Sequence, residues 1–427
     1  MIIGIDASRA NRDHKTGTEW YSYYIIRWLA KLDDKNEYIL YTDEPLTGGL
    51  LDLGTKQYSA SDEQNEIKID SKGFQEIKSP HNNFKVKILK WPIRHFWTLG
   101  RLSLEMILHR PDVLYIPAHT IPLFFPKRTV NTIHDVGFVR DHLLYRNEKM
   151  GTQHARVDFF INLATRIFTL NKYGANTLDF LSWSTKYSLK KSSNIISVSN
   201  FTKQEIKDIY GGNTDKITVI HNGYNSFLYK KSEDTDKIKA VLDKYDLPKS
   251  YILYVGRLEK KKNTPALIEA YANLKERNKS LEQKLVLVGD ASYGFDEVKY
   301  VIQEFNLDYD VIMPGWVDEE DISYIYNAAS SFIFPSRYEG FGIPLLQAMA
   351  CETPIAASMA TSIPEVVGDA AILFNPTEVD EIAKAMEDVT LNGEIRKELI
   401  EKGKERVKNF SWNKTTRETL NLINSLK

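Results

Sequence analysis

Two stretches in the second half of the 427-residue sequence place cations, a carboxylate and glycines at spacings suited to anion and polyol chemistry. In Tyr251-Ile-Leu-Tyr-Val-Gly-Arg-Leu-Glu-Lys-Lys-Lys-Asn263, an apolar run ends in Gly256-Arg257, and Lys262 and Asn263 stand immediately before Thr264-Pro265. Proline suits the first turn of a helix, so two cations flank a helix N-terminus, a strong arrangement for a phosphate or diphosphate. Three consecutive lysines taken alone are more often a solvated loop. The second stretch, Phe334-Pro-Ser-Arg-Tyr-Glu-Gly-Phe-Gly-Ile-Pro-Leu-Leu-Gln-Ala-Met-Ala350, ends a strand in a loop holding Gly340 and Gly342. Those glycines let backbone approach a ligand, Glu339 can accept hydrogen bonds from sugar hydroxyls, and Gln347 is expected in the first turn of the following helix. A glycine turn plus a helix cap would explain an isolated Gly-x-Gly, but not this longer string.

The elements that must carry these residues follow a strand, turn, helix rhythm. Ile2–Asp6, Tyr38–Thr42, Val86–Leu89, Val113–Ile116, Val130–Ile133, Ile195–Val198 and Ile217–Ile220 read as strands. Thr18–Leu32, Phe96–His109 and Thr202–Tyr210 read as helices. The stretch from Pro45 to Asn83 is polar and reads as a surface insertion or mobile loop. A charged run, Lys230-Lys-Ser-Glu-Asp-Thr-Asp-Lys237, marks a linker over 226–249. The rhythm then restarts at Tyr251–Val255 and continues through Lys284–Val288, Val311–Met313, Ser331–Phe334, Pro354–Ala357 and Ala371–Phe374. Two successive α/β domains with parallel sheets are expected, with ligands at the carboxyl ends of strands and a cleft between the domains as the natural site.

Composition narrows the field. With 42% hydrophobic residues the chain can build substantial cores, and a net charge of −1 gives no global basic excess for nucleic acid. The halves differ. Residues 1–200 carry 27 basic and 21 acidic side chains, and the window 78–191 carries 18 and 7. Such a patch attracts anionic substrates or an anionic membrane surface, although a solvated charged face is the commoner explanation. Within 140–191 the basic residues are mixed with Phe159, Phe160, Phe180 and Trp183, a composition suited to peripheral membrane contact or a lipid-linked acceptor, against an ordinary helical layer. The single cysteine, Cys351, fits a reducing compartment. Met1-Ile-Ile-Gly-Ile-Asp6 lacks the features of a secretory signal, and no apolar run reaches the ~18 residues of a membrane span. A cytoplasmic protein, peripheral at most to the inner membrane face, is expected. Asp234/Asp236 and Asp308/Asp310 read as solvated acid pairs, so no metal ligands are assigned.

The chain resembles the retaining GT-B nucleotide-sugar glycosyltransferases of family 4. The resemblance is carried by Gly256-Arg257 with Lys262-Asn263, by Glu339-Gly-Phe-Gly-Ile-Pro followed by Ala348-Met-Ala, by Thr361-Ser-Ile-Pro-Glu-Val-Val-Gly-Asp-Ala370, and by Pro314-Gly-Trp-Val317. It is highly specific over 251–376, moderate over 91–139 and weak over 141–190. It implies two Rossmann-like domains: an acceptor-binding domain at 1–225, a donor-binding domain at 250–405, and a C-terminal segment, 406–427, returning as a helix to the first. It further implies that Arg257 and Lys262 hold the donor diphosphate and that Glu339 binds the donor sugar. Gly256, Val317, Gly340, Phe341, Gly342, Ile343, Leu346 and Gln347 would complete the donor site. Gln347 stands where the family has a ribose-binding glutamate, a departure that removes a charge. Gly17 and Thr18 match the family's glycine loop over the diphosphate. His134, in Asn131-Thr-Ile-His-Asp135, matches a histidine near the reacting centre, with Asp135 beside it and His119 as a candidate acceptor contact. Seven of the nine histidines lie between His81 and His154, so enrichment alone gives His134 little weight, and a capping histidine is the plainer explanation.

The implied reaction moves a hexosyl residue from a UDP- or GDP-sugar to a glycan or lipid-linked saccharide, with retention, without metal and without a cofactor. Cleaving the sugar–phosphate bond builds positive charge at the anomeric carbon and negative charge on the diphosphate, and fixed cations and helix N-termini answer the latter. A dinucleotide oxidoreductase is disfavoured because Ile2–Asp6 runs into Ala7-Ser-Arg-Ala with no Gly-x-Gly-x-x-Gly. A nucleotide-sugar epimerase or hydrolase and a non-catalytic carbohydrate-binding relative remain as rivals.

Overall fold

The computed structural model describes residues 1–55, 68–92, 96–145, 176–211 and 214–426. These fall into two compact units: 1–142 with 176–222 and 412–426, and 143–145 with 223–411.

The first unit holds β1 (Ile2–Asp6), β2 (Glu37–Thr42), β3 (Phe74–Gln75), β4 (Phe84–Ile88), β5 (Val113–Ile116), β6 (Thr129–Ile133), β7 (Asn194–Ser197) and β8 (Ile217–Val219). They form one sheet in the order β3-β4-β2-β1-β5-β6-β7-β8, parallel except for the β3–β4 edge pair. Every residue of β5 and β6 is buried, as expected of parallel strands covered on both faces. The helix Gly17–Leu32 lays Tyr21, Ile25 and Leu29 into the core, and Trp412 of the helix Trp412–Asn424 stacks on its Tyr24 at 5.2 Å. Thr415 Oγ1 ties the same terminal helix to the His221 carbonyl at 2.7 Å.

Two sequence expectations change here. The described parts of the stretch 45–83 are not simply loop: Phe74–Gln75 forms β3, and buried Arg27 donates to the carbonyls of Gly49, Asp52 and Thr55, residues 56–67 lying outside the described chain. A polar stretch is held down because a guanidinium has enough donors to collect several backbone carbonyls. The helix read over 96–109 is a π-helical turn, Thr98–Leu102, leading into a shorter α-helix, Ser103–Leu108.

The second unit holds β9 (Tyr251–Val255), β10 (Lys284–Val288), β11 (Val311–Gly315), β12 (Ser331–Phe334), β13 (Ile355–Ser358) and β14 (Ala371–Phe374), an all-parallel sheet in the order β11-β10-β9-β12-β13-β14. Counted within the unit this is 3-2-1-4-5-6, the doubly wound order whose direction reverses between its first and fourth strands. Leu267, Ile268, Tyr271 and Leu274 of the helix Thr264–Arg277 pack with Ile382, Met386 and Val389 of the helix Val379–Leu391 in a single core cluster. Residues 226–249, read as a linker, contain the helix Thr235–Lys244, anchored by Lys244 to Asp318 and Asp321 at 2.8 and 2.7 Å.

One backbone approach positions the chemistry. Gly289, just after β10, has φ +134°, and a Cβ there would lie 2.2 Å from the carbonyl oxygen of Gly256, in the turn that carries Arg257. Gly289→Ala should therefore lower the unfolding free energy of this unit by about 2–4 kcal/mol, combining backbone strain with overpacking. Urea denaturation of the variant checks this; an unchanged midpoint would show that the turn can move aside freely.

Candidate active site

The sheet of the second unit reverses direction between β9 and β12, and the crevice outside the carboxyl ends of such strands is where doubly wound folds bind ligands. The two loops leaving these strands carry both motifs singled out above. After β9, Tyr254 Oη donates to the Arg257 carbonyl at 3.0 Å, and a side chain on Gly256 would meet that hydroxyl at 2.7 Å. Arg257 is half exposed, with Nη2 at 3.2 Å from the buried Glu259 carboxylate. Lys262 Nζ donates to Glu339 Oε1 at 2.6 Å, joining the β9 loop to the β12 loop.

Further bonds brace the same junction. Arg337 N–H donates to the Lys261 carbonyl at 2.9 Å and Arg337 Nε to Asn263 Oδ1 at 3.0 Å. Asn263 takes φ +59° immediately before the helix Thr264–Arg277 and donates through Nδ2 to Pro376 O at 2.7 Å. Asparagine tolerates this left-handed conformation, and its side chain replaces the bonds that the turn withholds.

The Glu339 loop is fixed from the segment that follows β13. Thr361 Oγ1 accepts from the Glu339 N–H at 3.1 Å, and Ser362 Oγ donates to the carbonyls of Glu339 at 2.9 Å and Phe341 at 3.2 Å. Thr361 has φ +59°, an outlying conformation for a β-branched residue, of the kind that persists where surrounding structure holds it in place. Gly342, with φ +105°, starts the helix Ile343–Ala350.

The structure thus brings together Arg257, Lys262, Glu339 and the Gly340–Gly342 backbone. Gln347 sits in the second turn of its helix rather than the first, because the helix begins at Ile343, and its Oε1 accepts from Tyr326 Oη at 3.4 Å. Leu346 is wholly buried, Phe341 nearly so, and Ile343 partly covered. Val317, also buried, follows edge strand β11, two strands from β9. Sequence reasoning assigned no role to Glu259, Thr361 or Ser362. The alternation of charge in Arg257-Leu-Glu259 was the available signal for the first, whereas the bonds from the other two span more than twenty residues.

In the first unit the corresponding reversal lies between β1 and β5. Beyond β5 and β6 two histidines lock each other's loops. His134 Nε2–H donates to Pro117 O at 3.1 Å, and His119 Nε2–H donates to Asp135 O at 2.8 Å. Both partners are carbonyls, so each ring carries its proton on Nε2 and presents Nδ1 as an acceptor. Burial, reinforced by the neighbouring His119, lowers His134 to about 4. His119 is also lowered by burial, with Asp135 opposing. His134 therefore stays neutral at pH 7, and its Nδ1 can accept a hydrogen bond. Gly17 is exposed at the start of its helix, beside Thr18, where Glu19 takes hydrogen bonds from the Thr16 backbone and hydroxyl. Among the described residues no group of three or more His, Cys, Asp or Glu side chains could hold a metal ion. Asp310 instead pairs with Lys275 at 2.5 Å.

A family model for "Glycosyl transferases group 1" matches residues 234–406, and one for "Glycosyltransferase Family 4" matches residues 16–226. The O-antigen chain mannosyltransferase B of Escherichia coli is 30% identical over 332 residues, which is 77% of each chain. The chain belongs to the family 4, group 1 glycosyltransferases. A second relative, the serotype-specific mannosyltransferase WbdA of Escherichia coli, is 29% identical over 225 residues, 52% of this chain but only 27% of its own length. Two solved structures share the fold. The sucrose-phosphate synthase of Thermosynechococcus elongatus has a TM-score of 0.69 at 19% identity, covering 100% of this chain and 98% of its own. Anabaena HepE in complex with UDP and glucose has a TM-score of 0.64 at 18% identity, covering 99% of both chains. The glycosyltransferase accordingly has the GT-B fold of two Rossmann-like domains.

Two measurements check this geometry. His134 should titrate near pH 4 by NMR, against about 6.5 unfolded. Because the folded value is depressed, its contribution to stability is complete above pH 6.5 and is lost as pH falls towards 4; His134→Gln should flatten that part of the profile. Thr361→Ala should lower turnover by roughly tenfold through a displaced Glu339, equivalent to about 1.4 kcal/mol in the barrier, whereas Thr361→Ser should retain most activity.

Proposed function

We propose that this glycosyltransferase moves a hexosyl residue, mannosyl being the first to test, from a UDP- or GDP-sugar to a growing glycan or lipid-linked saccharide in polysaccharide biosynthesis. The reading rests on one observation above all: the Lys262–Glu339 pair at 2.6 Å, which sets a cation and a sugar-binding carboxylate side by side at the strand-order reversal. Mannose is supported by the Escherichia coli O-antigen mannosyltransferase, and a nucleoside diphosphate by the UDP held in HepE.

The chemistry follows from where charge develops. As the anomeric bond lengthens, the diphosphate gains charge and Arg257 and Lys262 neutralise it, assisted by the N-terminus of the helix Thr264–Arg277. Each cation begins bound to a carboxylate of its own unit, Glu259 or Glu339. Diphosphate takes over the cations, and Glu339 accepts from the hydroxyls of the donor sugar. The backbone of Gly340 to Gly342 lies against sugar or phosphate. His134 Nδ1 accepts from a donor hydroxyl near the reacting carbon, and His119 and Asp135 border the acceptor. Attack comes from the face that the leaving group vacates, retaining configuration, and a leaving phosphate oxygen takes the acceptor proton. The cations discharge the role that a metal would otherwise fill.

Calorimetry with UDP, GDP and ADP, followed by transfer assays with the matching sugar nucleotides, tests the proposal. Arg257→Ala and Lys262→Ala should each lower kcat/KM by about 10²–10³-fold, the scale of losing one preorganised charge-stabilising donor. Glu339→Ala should lower turnover more than nucleotide affinity, and EDTA should leave the rate unchanged. Transfer at the parent rate by the Arg257 variant would remove the site assignment. Sugar release with no acceptor product would favour the hydrolase reading.

A further inference from the structure

Three hydroxyl groups meet in the core of the first unit, one pleat below His134. Tyr21 Oη lies 2.9 Å from Tyr115 Oη and 3.2 Å from Thr132 Oγ1, and the last two are 3.1 Å apart. All three residues are fully buried. Each hydroxyl can donate once and accept once, so the bonds close into a ring that joins the helix Gly17–Leu32 to β5 and β6. Burial raises both phenols above their ordinary range, which keeps them as O–H donors. Core hydroxyls replaced together by apolar groups of the same shape can cost almost nothing. What a closed polar ring adds to a core is a unique arrangement.

The arrangement fixed here is that of His134. Thr132 and His134 are two residues apart, so the alternation of β6 brings both side chains to one face. Tyr21 spans that step: its hydroxyl is on Thr132, and its ring meets the His134 imidazole edge-on at 4.9 Å and 84°. The ring of His119 is farther away, at 6.1 Å and tilted by 49°. Tyr115 stands likewise two residues before Pro117, whose carbonyl takes the His134 Nε2–H at 3.1 Å. The hydroxyl ring and the His134–Pro117 bond are therefore successive ties across the same pair of strands. Trp412 of the terminal helix packs on Tyr21 at 5.8 Å, and Gly17 and Thr18 stand one helical turn before it.

We propose that Tyr21 is a positioning residue for the transfer reaction: its anchored ring holds the His134 imidazole in the orientation from which Nδ1 meets a hydroxyl of the donor sugar. The inference rests on the donor contact proposed above for His134. Tyr21 is fully buried and touches no substrate, so its loss acts through the histidine. An imidazole free to rock turns its lone pair away from the hydroxyl, and hydrogen bonds weaken steeply once the angle falls below about 120°. Because Tyr21 belongs to the helix that starts at Gly17, one anchor sets both the imidazole and the first turn of that helix.

A double-mutant cycle on the full chain tests it, with kcat read as nucleoside diphosphate released from GDP-mannose or UDP-glucose, whichever the parent consumes faster. Tyr21→Phe should lower kcat about fivefold and leave the affinity for free nucleoside diphosphate unchanged. In a His134→Gln background the same substitution should change kcat by less than about twofold, since the ring it positions is gone. By NMR, Tyr21→Leu uncovers the imidazole and should move the His134 titration up from about 4 by about one pH unit or more, towards the ordinary 6.5. Tyr21→Phe leaves two hydroxyls short of a partner, so the combination Tyr21→Phe, Tyr115→Phe and Thr132→Val is measured beside it. That apolar combination should melt close to the parent and still show the loss of kcat. Parent kcat in the combination would overturn the proposal, as would an unmoved His134 titration in Tyr21→Leu. Equal losses from Tyr21→Phe with and without His134 would overturn the role of Tyr21 and leave the donor contact of His134 standing. Parent turnover by His134→Gln alone would instead remove that contact, and this role with it.

Discussion

The site depends on one topological constraint, the reversal of strand order between β9 and β12. Successive crossovers on either side of that point carry the chain to opposite faces of the sheet, so the two loops diverge and leave a crevice. Lys262 and Glu339 close it with an ion pair whose members come from separate loops and are both largely buried. Such a pair has given up much of its hydration, so it contributes little net stability, yet removing one partner leaves a costly lone charge. In the proposed reaction an anion bound there would exchange carboxylate partners for phosphate without creating an unpaired cation. Arg257, half exposed beside Glu259, is arranged in the same manner.

Unusual backbone gathers around this crevice. Asn263, Thr361 and Gly342 all take positive φ values, and Gly289 presses on the turn carrying Arg257. Three of these positions set helix starts or loop backbone that a ligand would face. The strain is held by side-chain bonds between the loops that follow the strands: Asn263 to Pro376, and Thr361 and Ser362 to the Glu339 loop. Preorganisation of this sort keeps donors and acceptors from reorienting when charge develops.

The first unit uses a different device. Its two histidines spend their N–H donors on backbone carbonyls of each other's loops, which fixes both rings and leaves them neutral. His134 is thus a capping histidine with Nδ1 left as an acceptor, the nitrogen through which it is proposed to meet the donor sugar.

Much of this organisation was legible from residue order. β-branched runs alternating with helical periods determine two parallel-sheet units, because strands buried on both faces must be apolar throughout. Gly256-Arg257, Lys262 and Glu339-Gly-Phe-Gly are residue types suited to anion and sugar chemistry, since close backbone approach and fixed cations call for them. Other features only the tertiary structure decided. The partners of Lys262, Glu339 and Asn263 lie many residues away in sequence, and side-chain periodicity carries no information about which distant loops meet. Gln347 moved by one turn because helix starts depend on local capping rather than on spacing from a motif. Arg27 gathered the backbone of a polar stretch at Gly49, Asp52 and Thr55, and Glu105 took a buried position beside Met106 on a short helix that leaves Leu104, Ile107 and Leu108 exposed. Both exceptions arise because a buried charge must collect its partners wherever the folded chain supplies them, and local hydrophobicity yields to that requirement.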